Sequence, residues 1–332
     1  MYNRKMHPKR QFFYFIFLFL LCNNVLDGQC QRKKPKDMSR TKCVAGRRFF
    51  ARIDQMPRLA HLFSKKTLMQ PYVYPWIAKI VVVYAGRPIT CTGTLINDRY
   101  LLTAQHCVSA PVEAQHITVS LGFEDDAVPN QSLETVSPNY LQTEVLQIVL
   151  HPNYDSTNVQ TASNDLALLQ IRPVEYTKTI YPIQLPTIVD KYFDLSNVIA
   201  ESVGWQHSIY SNSNRGYSTS NTFHKKSVQI MSNEKCSNFN VYYKHAVNPE
   251  VLCTINVGEI NDGPCYGDNG SPLMVENHKR IYNVTILVGI LSWSAPKNKP
   301  CIWYGTPVVF VRIDNKLPWI LDNTKDALYC RY

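Results

Sequence analysis

The hydrophobic positions of this chain form one long apolar run near the start and many short runs afterwards. Residues 12–21 (FFYFIFLFLL) are apolar without interruption. The later runs, such as residues 76–83, 117–120 and 284–288, are rich in β-branched and aromatic residues and are separated by Gly, Pro, Asn and Asp. This pattern predicts an all-β protein of short strands, with a helix expected only near the end, around residues 317–323.

The first apolar run has the arrangement of a secretory signal peptide. Residues 1–10 before it are basic, and the run ends close to Cys22. A signal anchor would place the same run across a membrane, but about ten apolar residues cover only half of a hydrocarbon layer that requires ~20. We therefore expect residues 1–28 to be a cleaved signal peptide, the mature protein to be secreted, and the rest of the chain to have no membrane span.

The positive charge is concentrated in one segment. The chain has a formal net charge of +10, yet residues 28–70 carry twelve Lys or Arg against two Asp, and residues 71–332 carry nineteen basic against twenty-two acidic residues. Residues 29–70 show no sustained helix or strand period, so we expect a mostly extended or flexible basic extension before a globular domain at 71–332. Residues 29–60 could bind a polyanion such as a glycosaminoglycan, or they could be a solvated spacer.

Short motifs in the globular part carry the candidate chemistry. They are residues 91–96 (CTGTLI) with 100–107 (YLLTAQHC), 151–154 (HPNY) with 164–169 (NDLALL), 265–272 (CYGDNGSP), and 292–294 (SWS). In this order they resemble the histidine, aspartate, serine and substrate-backbone regions of trypsin-like and chymotrypsin-like serine proteases, over roughly residues 71–325. The resemblance implies an all-β fold of two six-stranded antiparallel β-barrels, with a cleft between them and a C-terminal helix.

The resemblance also implies a degenerate catalytic triad of His106, Asp165 and Asn269. In active members a histidine takes the proton of a serine hydroxyl, while a buried aspartate orients the histidine. Asn269 stands where that serine belongs, and its carboxamide has no ionisable hydroxyl. We therefore expect no acyl-enzyme and no peptide hydrolysis. Two alternatives remain: trace activity that uses the oxyanion-type Gly267, and a displaced nucleophile at Ser271.

No activation site is visible in the sequence. Active family members are formed when cleavage frees an N-terminal Ile-Val-Gly-Gly, whose ammonium pairs with the aspartate before the nucleophile, here Asp268. Residues 61–64 read HLFS at the corresponding place, and Arg58 followed by Leu59 is a poorly matched substitute. We therefore expect Asp268 to lack this ammonium, and the adjoining oxyanion loop to resemble that of a zymogen.

The primary specificity pocket departs from the family pattern as well. By the resemblance, Gly263 holds the position at the base of the pocket that is aspartate in trypsin, and Ser292 belongs to the strand beside the substrate. Val308 and Ser294 stand at two wall positions where trypsin has glycine. We expect their side chains to occupy space that a substrate side chain needs, which adds to the case against catalysis.

Ten cysteines are consistent with an oxidising compartment. The pairs that the resemblance implies are Cys91–Cys107, Cys236–Cys253 and Cys265–Cys301. Cys22 is expected to leave with the signal peptide, so that Cys30, Cys43 and Cys330 remain. Since three cysteines cannot all pair within one chain, we expect Cys330 to bond to Cys30 or Cys43, with the other free or bonded to a partner.

Other features bear on modification and partners. Asn130 and Asn283 begin N-glycosylation sequons, and Asn269 begins a third match whose place in the cleft disfavours it. No metal-ligand spacing is present, His151 is expected to be an ordinary surface or loop residue, and we expect no metal, cofactor or nucleic-acid partner. The basic extension has two cysteines, too few for the clip domain of many insect relatives.

These observations lead to one functional expectation with two alternatives. We expect a secreted, insect-like, non-catalytic serine protease homologue that binds other secreted proteins as a cofactor, decoy or regulator, for example in haemolymph or seminal fluid. The first alternative is a weak or specialised serine-type hydrolase. The second is a polyanion-binding or matrix-binding protein that works through its basic extension.

Overall fold

The computed structural model describes most of the globular part of the chain. The described residues are 74–109, 114–122, 135–137, 140–187, 194–207, 221–257, 268–277, 284–294 and 305–330. All of them belong to one compact unit. The signal peptide and the basic extension lie outside the described residues, as do Gly263, Gly267, Cys265, Cys301 and the sequon residues Asn130 and Asn283. Within the described ranges, no helix is long and apolar enough to cross a membrane.

The first sheet is antiparallel and has eight described strands. They are β1 (Ile77–Tyr84), β2 (Arg87–Leu95), β3 (Tyr100–Thr103), β4 (His116–Leu121), β5 (Thr135–Ser137), β6 (Tyr140–Glu144), β7 (Gln147–Leu150) and β8 (Ala167–Gln170). Their spatial order is β5-β6-β4-β1-β2-β3-β8-β7. Because β1 lies between β2 and β4, its alternate residues Ile80 and Val82 are fully buried in the core.

A two-residue turn joins β1 and β2. Ala85 and Gly86 have φ angles of 47° and 76°. Positive φ at both central residues is the mark of a type I′ turn, whose twist matches that of the flanking strands. Gly86 adopts this conformation without steric cost, whereas Ala85 is strained. The turn fixes the register in which Tyr84 faces Arg87.

The second sheet is a closed barrel. Its strands are β9 (Ile199–His207), β10 (Asn221–Met231), β11 (Val251–Asn256), β12 (Pro272–Asn277), β13 (Val284–Ser294) and β14 (Val308–Arg312). The barrel order is β10-β11-β14-β13-β12-β9. The predicted all-β fold with two barrel-like sheets is therefore confirmed. The first sheet has eight described strands where six were expected, because β5 adds to the edge of β6 and β7 adds to β8.

Three short α-helices complete the described part of the chain: α1 (Asn233–Ser237), α2 (Val241–Ala246) and α3 (Leu317–Asp322). The C-terminal helix α3 was predicted, but the expectation that it would stand alone is wrong. The side chain of Ser232 accepts the main-chain N–H of residue 235 at 3.3 Å, and that of Asn240 accepts the N–H of residue 242 at 2.9 Å. Such N-caps start helices too short to show a hydrophobic period.

Two of the predicted disulfides are present among the described residues. Cys91 is bonded to Cys107, which ties β2 to the segment after β3, and Cys236 is bonded to Cys253, which ties α1 to β11. Cys330 is buried and also disulfide-bonded, to a partner outside the described residues. The predicted Cys265–Cys301 pair, and the choice between Cys30 and Cys43 for Cys330, lie outside the described residues.

Candidate functional site

Strand pairing in the first sheet brings His106 and Asp165 together. β3 ends at Thr103, and His106 lies in the 3-10 helix Gln105–Cys107 that follows. Asp165 lies two residues before β8, whose first residue faces Thr103 across the antiparallel pair. The two ends therefore meet at one edge of the sheet. This pairing places the histidine beside an aspartate that is 59 residues away in the sequence.

Asp165 is the centre of a hydrogen-bond network at this edge. Its Oδ2 lies 2.7 Å from Nδ1 of His106 and accepts the hydroxyl of Ser292 at 2.6 Å, while its Oδ1 accepts the main-chain N–H of His106 at 2.9 Å. The Asp165 side chain is 2% exposed and that of His106 is 30% exposed. The carboxylate orients the imidazole with Nδ1 as the protonated nitrogen, so that Nε2 is the nitrogen able to accept a proton.

A β-bulge directs Ser292 toward Asp165. The register between β13 and β14 shifts between Leu291 and Trp293, and Ser292 lies at the shift. Bulges of this kind re-aim a side chain out of the regular alternation. The Ser292 hydroxyl is buried and donates to Asp165. The structure thus places Ser292, assigned from sequence to the specificity pocket, in the network of the aspartate.

His151 contacts the residue before His106 and the C-terminal helix α3. Its main-chain N–H donates to the side-chain oxygen of Gln105 at 2.8 Å, and its Nδ1 accepts the N–H of Asn153 at 3.4 Å. Its ring lies 4.9 Å from that of Trp319 on α3. Burial, with the nearby charge of Lys316, lowers the pKa of His151 to about 4. His151 lies in the loop after β7, as expected, but the expectation of a surface position is wrong, because the residue is buried with its ring against Trp319 of α3.

Asn269 lies in a tight turn that packs against the His106 segment. Its carbonyl accepts the N–H of Thr92 on β2 at 2.8 Å. The next residue, Gly270, has φ of 81°, and a Cβ atom there would lie 2.2 Å from the Thr92 oxygen and 2.4 Å from Oγ1 of Thr103. Only glycine permits so close an approach. The turn therefore holds residue 269 against the end of β3, from which the chain continues to His106.

Sequence reasoning missed the partner of Asp268. This residue precedes Asn269 and is buried, and its Oδ2 is paired with Nζ of Lys226 on β10. The expectation concerned only the ammonium of a freed chain terminus, and the cation that the structure pairs with Asp268 is a lysine side chain instead. One sequence signal was available: Lys225 and Lys226 are adjacent in a strand, where neighbouring side chains point to opposite faces. One of the two lysines must point inward.

Val308 is buried where a pocket wall was expected. It is 1% exposed and belongs to a buried cluster that includes Leu252, Leu291 and Phe310. In the β13–β14 register, Val308 faces the backbone of Ser294. The isopropyl group is thus part of the packed interior.

A metal site requires a grouping of ligating side chains. Within the described ranges, no group of three or more His, Cys, Asp or Glu side chains could hold a metal ion.

Comparisons with known proteins agree with this geometry. A protein-family model described as Trypsin matches residues 66–320. Melanization protease 1 of Drosophila melanogaster is 30% identical over 267 residues, which make up 76% of this chain and 63% of that protein. Chymotrypsin of Phaedon cochleariae is 29% identical over 251 residues, which make up 75% of this chain and 78% of that protein.

A likeness in fold is found among solved structures. The structure titled HL collagenase superposes with a TM-score of 0.56 at 23% identity, and the match covers 76% of this chain and 95% of that one. This similarity concerns the fold alone.

Proposed function

The chain belongs to the trypsin family, and on this premise we propose that it is a secreted member that binds other secreted proteins and does not hydrolyse peptide bonds. The observation that carries the proposal is Asn269, at the place in residues 265–272 where the family resemblance has the nucleophilic serine. A carboxamide nitrogen is delocalised into its carbonyl and cannot form an acyl-enzyme. Without that intermediate the mechanism of the family has no first step.

Ser271, the replacement nucleophile considered from the sequence, does not have the required exposure. Ser271 is the nearest hydroxyl in sequence, and it is 1% exposed. A nucleophile must lie within hydrogen-bond reach of its base and of a substrate carbonyl. Because the Ser271 hydroxyl is buried in the folded protein, it can reach neither a base nor a substrate carbonyl. The alternative of a displaced nucleophile is therefore less favoured than the binding function.

The retained His106–Asp165 pair fits a structural role. Asp165 links the segment after β3 to the bulge on β13 through buried hydrogen bonds. Removing one partner of such a network leaves buried groups unsatisfied, which destabilises the fold whether or not chemistry occurs. The pair is thus expected to persist after catalysis is lost, while the partly exposed ring of His106 remains available to a bound protein.

Active-site labelling separates a binding protein from an enzyme. The full-length secreted chain would be treated with a fluorophosphonate probe beside active chymotrypsin and a heat-denatured sample of each protein. We expect chymotrypsin to be labelled and this chain to give the signal of its denatured control. Stoichiometric labelling of the native chain, mapped by mass spectrometry to Ser271 or any other serine of the cleft, would overturn the proposal in favour of a hydrolase.

The partner would be sought by affinity purification from the secreting tissue, with haemolymph and seminal fluid as the first fluids to test. The bait is the tagged full-length chain, and a chain without residues 29–60 is the matched control. A partner of the globular domain is expected in near-stoichiometric amounts with both baits. Recovery by the full-length chain alone would move the binding site to the basic extension.

A second function is favoured by the charge of the extension. Residues 28–70 hold an excess of ten positive charges, which suits binding to a polyanion such as a glycosaminoglycan. Retention on heparin should then fall steeply with salt, because the screening length drops from about 10 Å at 0.1 M to about 3 Å at 1 M. Deletion of residues 29–60 should abolish retention. Retention that survives the deletion would refute this assignment.

A further inference from the structure

Two charged side chains are buried together between β10 and the turn that carries Asn269. Lys226 and Asp268 each have a side chain that is 3% exposed, and the ammonium of one is paired with Oδ2 of the other. Lysine and aspartate are almost never fully buried unless they are paired, since removing a charge from water is costly. The neighbouring lysine, Lys225, points the other way, is 33% exposed and is paired with Glu201.

The turn at residues 268–271 is attached to strands on several sides. The carbonyl of Asn269 accepts an N–H from β2, and the N–H of Gly270 donates to the carbonyl of Leu291 on β13 at 3.0 Å. Within the turn, the N–H of Ser271 donates to the carbonyl of Asp268 at 2.9 Å. These bonds fix the backbone of the turn, and the Lys226 ammonium fixes its first side chain to β10.

The backbone of β9 packs closely against the Asp268 carboxylate. A Cβ atom built on Gly204 of β9 would lie 2.5 Å from Asp268 Oδ1 and 2.2 Å from Oγ of Ser271. The carboxylate therefore sits against a strand that leaves no room for a side chain. In so tight a site, the charge of Asp268 depends on a cation that the fold itself delivers, and Lys226 delivers it from the adjacent strand.

We propose that Lys226 is a built-in counter-ion that holds the 268–271 turn in its final conformation in the uncleaved chain. The ammonium of a lysine is the same chemical group as a protonated chain terminus, a positive charge with three N–H donors. Because it is part of β10, it reaches Asp268 as the barrel folds, with no peptide bond broken. The turn beside His106 is then formed without proteolytic activation, whether or not the protein is catalytic.

A second consequence concerns cleavage. A new chain terminus that took the place of Lys226 beside Asp268 would leave a buried ammonium without its counter-ion. Breaking a buried pair in this way is strongly unfavourable. Cleavage of the basic extension should therefore leave the turn unchanged, and Lys226 should remain as protected from solvent as before.

The native protein allows a direct test by competitive acetylation. We expect Nζ of Lys226 to react roughly 100-fold more slowly than that of Lys225 in the folded full-length chain, and equally fast in denaturant, because a buried amine reacts only through opening of the fold. The same ratio is expected after limited cleavage of the extension. Equal native reactivity of the two lysines, or exposure of Lys226 upon cleavage, would overturn the proposal.

Amide hydrogen exchange of variants tests the positioning role. Lys226→Met should speed exchange at residues 268–271 by roughly 100-fold or more, while the control Lys225→Met changes it by no more than about threefold. The double variant Lys226→Met with Asp268→Asn, which removes both charges, should recover part of the protection. If Lys226→Met fails to fold, the double variant carries the test. Two outcomes would contradict the proposal. One is that the double variant exchanges as fast as Lys226→Met, and the other is that both variants exchange as slowly as the native chain.

Discussion

The two halves of the candidate site have kept very different amounts of the protease arrangement. The base half, His106, Asp165 and Ser292, is held by hydrogen bonds of 2.6–2.9 Å around a buried carboxylate. In the nucleophile half, Asn269 stands in the place of a serine and Val308 is buried in the barrel interior. On the proposal that the chain is not catalytic, the family fold is compatible with loss on one side of the cleft and retention on the other.

The difference follows from what each half does for the fold. Asp165 satisfies buried donors, so its removal would cost stability in any member of the family, active or not. By the family resemblance, the side chain of residue 269 serves the chemistry of the family, and Asn269 is only partly buried. Groups used only for chemistry are free to change once chemistry is no longer needed, whereas groups that also hold the fold are retained. This contrast can be tested by substitution.

The largest expected effect is in the base half. Asp165→Ala should lower the free energy of unfolding by about 3–5 kcal/mol, because it leaves the donors of His106 and Ser292 without their acceptor. Asp322→Ala is the matched control; its side chain is 72% exposed, and the expected change is below about 0.5 kcal/mol. Denaturant titration measures both. Equal effects would show that the base half has no structural role.

The next largest effect is a pH dependence of the free energy of unfolding that arises from His151. Burial holds the pKa of His151 near 4, below the ordinary 6.5, with Lys316 and Glu250 as the charged groups that face it. The unfolded chain therefore takes up the proton first as the pH falls, and stability is lost between about pH 6.5 and 4. At about 1.4 kcal/mol per pKa unit, the loss is about 3 kcal/mol.

The variant His151→Asn tests this dependence, since its side-chain oxygen can keep the bond to the N–H of Asn153 and does not titrate. Its stability should be lower at every pH because the ring contact with Trp319 is lost, but it should vary less between pH 6.5 and 4. Unfolding curves at several pH values measure the slope. An unchanged slope would assign the pH dependence to other groups.

A smaller effect is expected in the nucleophile half. Val308→Ala should destabilise the protein by about 2 kcal/mol, because two buried methyl groups are removed from the barrel interior. Val241→Ala is the control, since Val241 is 60% exposed on α2, and a change below about 0.5 kcal/mol is expected. If Val308→Ala lowers the free energy of unfolding as little as the control does, the Val308 side chain is not packed in the barrel interior.

The contact of His106 with Asp165 was predictable from sequence, whereas the bond of Ser292 to Asp165 and the partner of Asp268 were not. Motif order was sufficient to bring His106 to Asp165 and to pair Cys91 with Cys107, because these contacts lie within segments that the family resemblance fixes. The strand content followed from alternation of apolar and polar residues. The helices α1 and α2 were missed because five or six residues are too few to show a helical period.

The Lys226–Asp268 pair was missed for a different reason. Its residues are 42 positions apart, and a lysine in a polar stretch of strand is normally exposed. Only the closed barrel shows which of two adjacent lysines faces inward. His151 was missed similarly, because its burial depends on α3, which comes more than 160 residues later in the chain.

The central claim is that the nucleophile half has lost more than its nucleophile. Lys226 supplies the charge that a freed chain terminus supplies in active relatives, so Asn269→Ser should have a formed turn beside His106. We still expect the Val308 side chain to keep a substrate side chain from seating, so that the scissile carbonyl does not reach a near-attack distance of about 3–3.5 Å from the new hydroxyl. The most direct measurement is the turnover of Asn269→Ser on a broad peptide library, after circular dichroism has confirmed its fold, with chymotrypsin assayed in parallel. We predict a rate more than about tenfold below that of chymotrypsin, since restoring the hydroxyl does not remove the obstacle that we expect at Val308. Turnover within tenfold would contradict the account and would show that the natural protein is a single substitution away from catalysis.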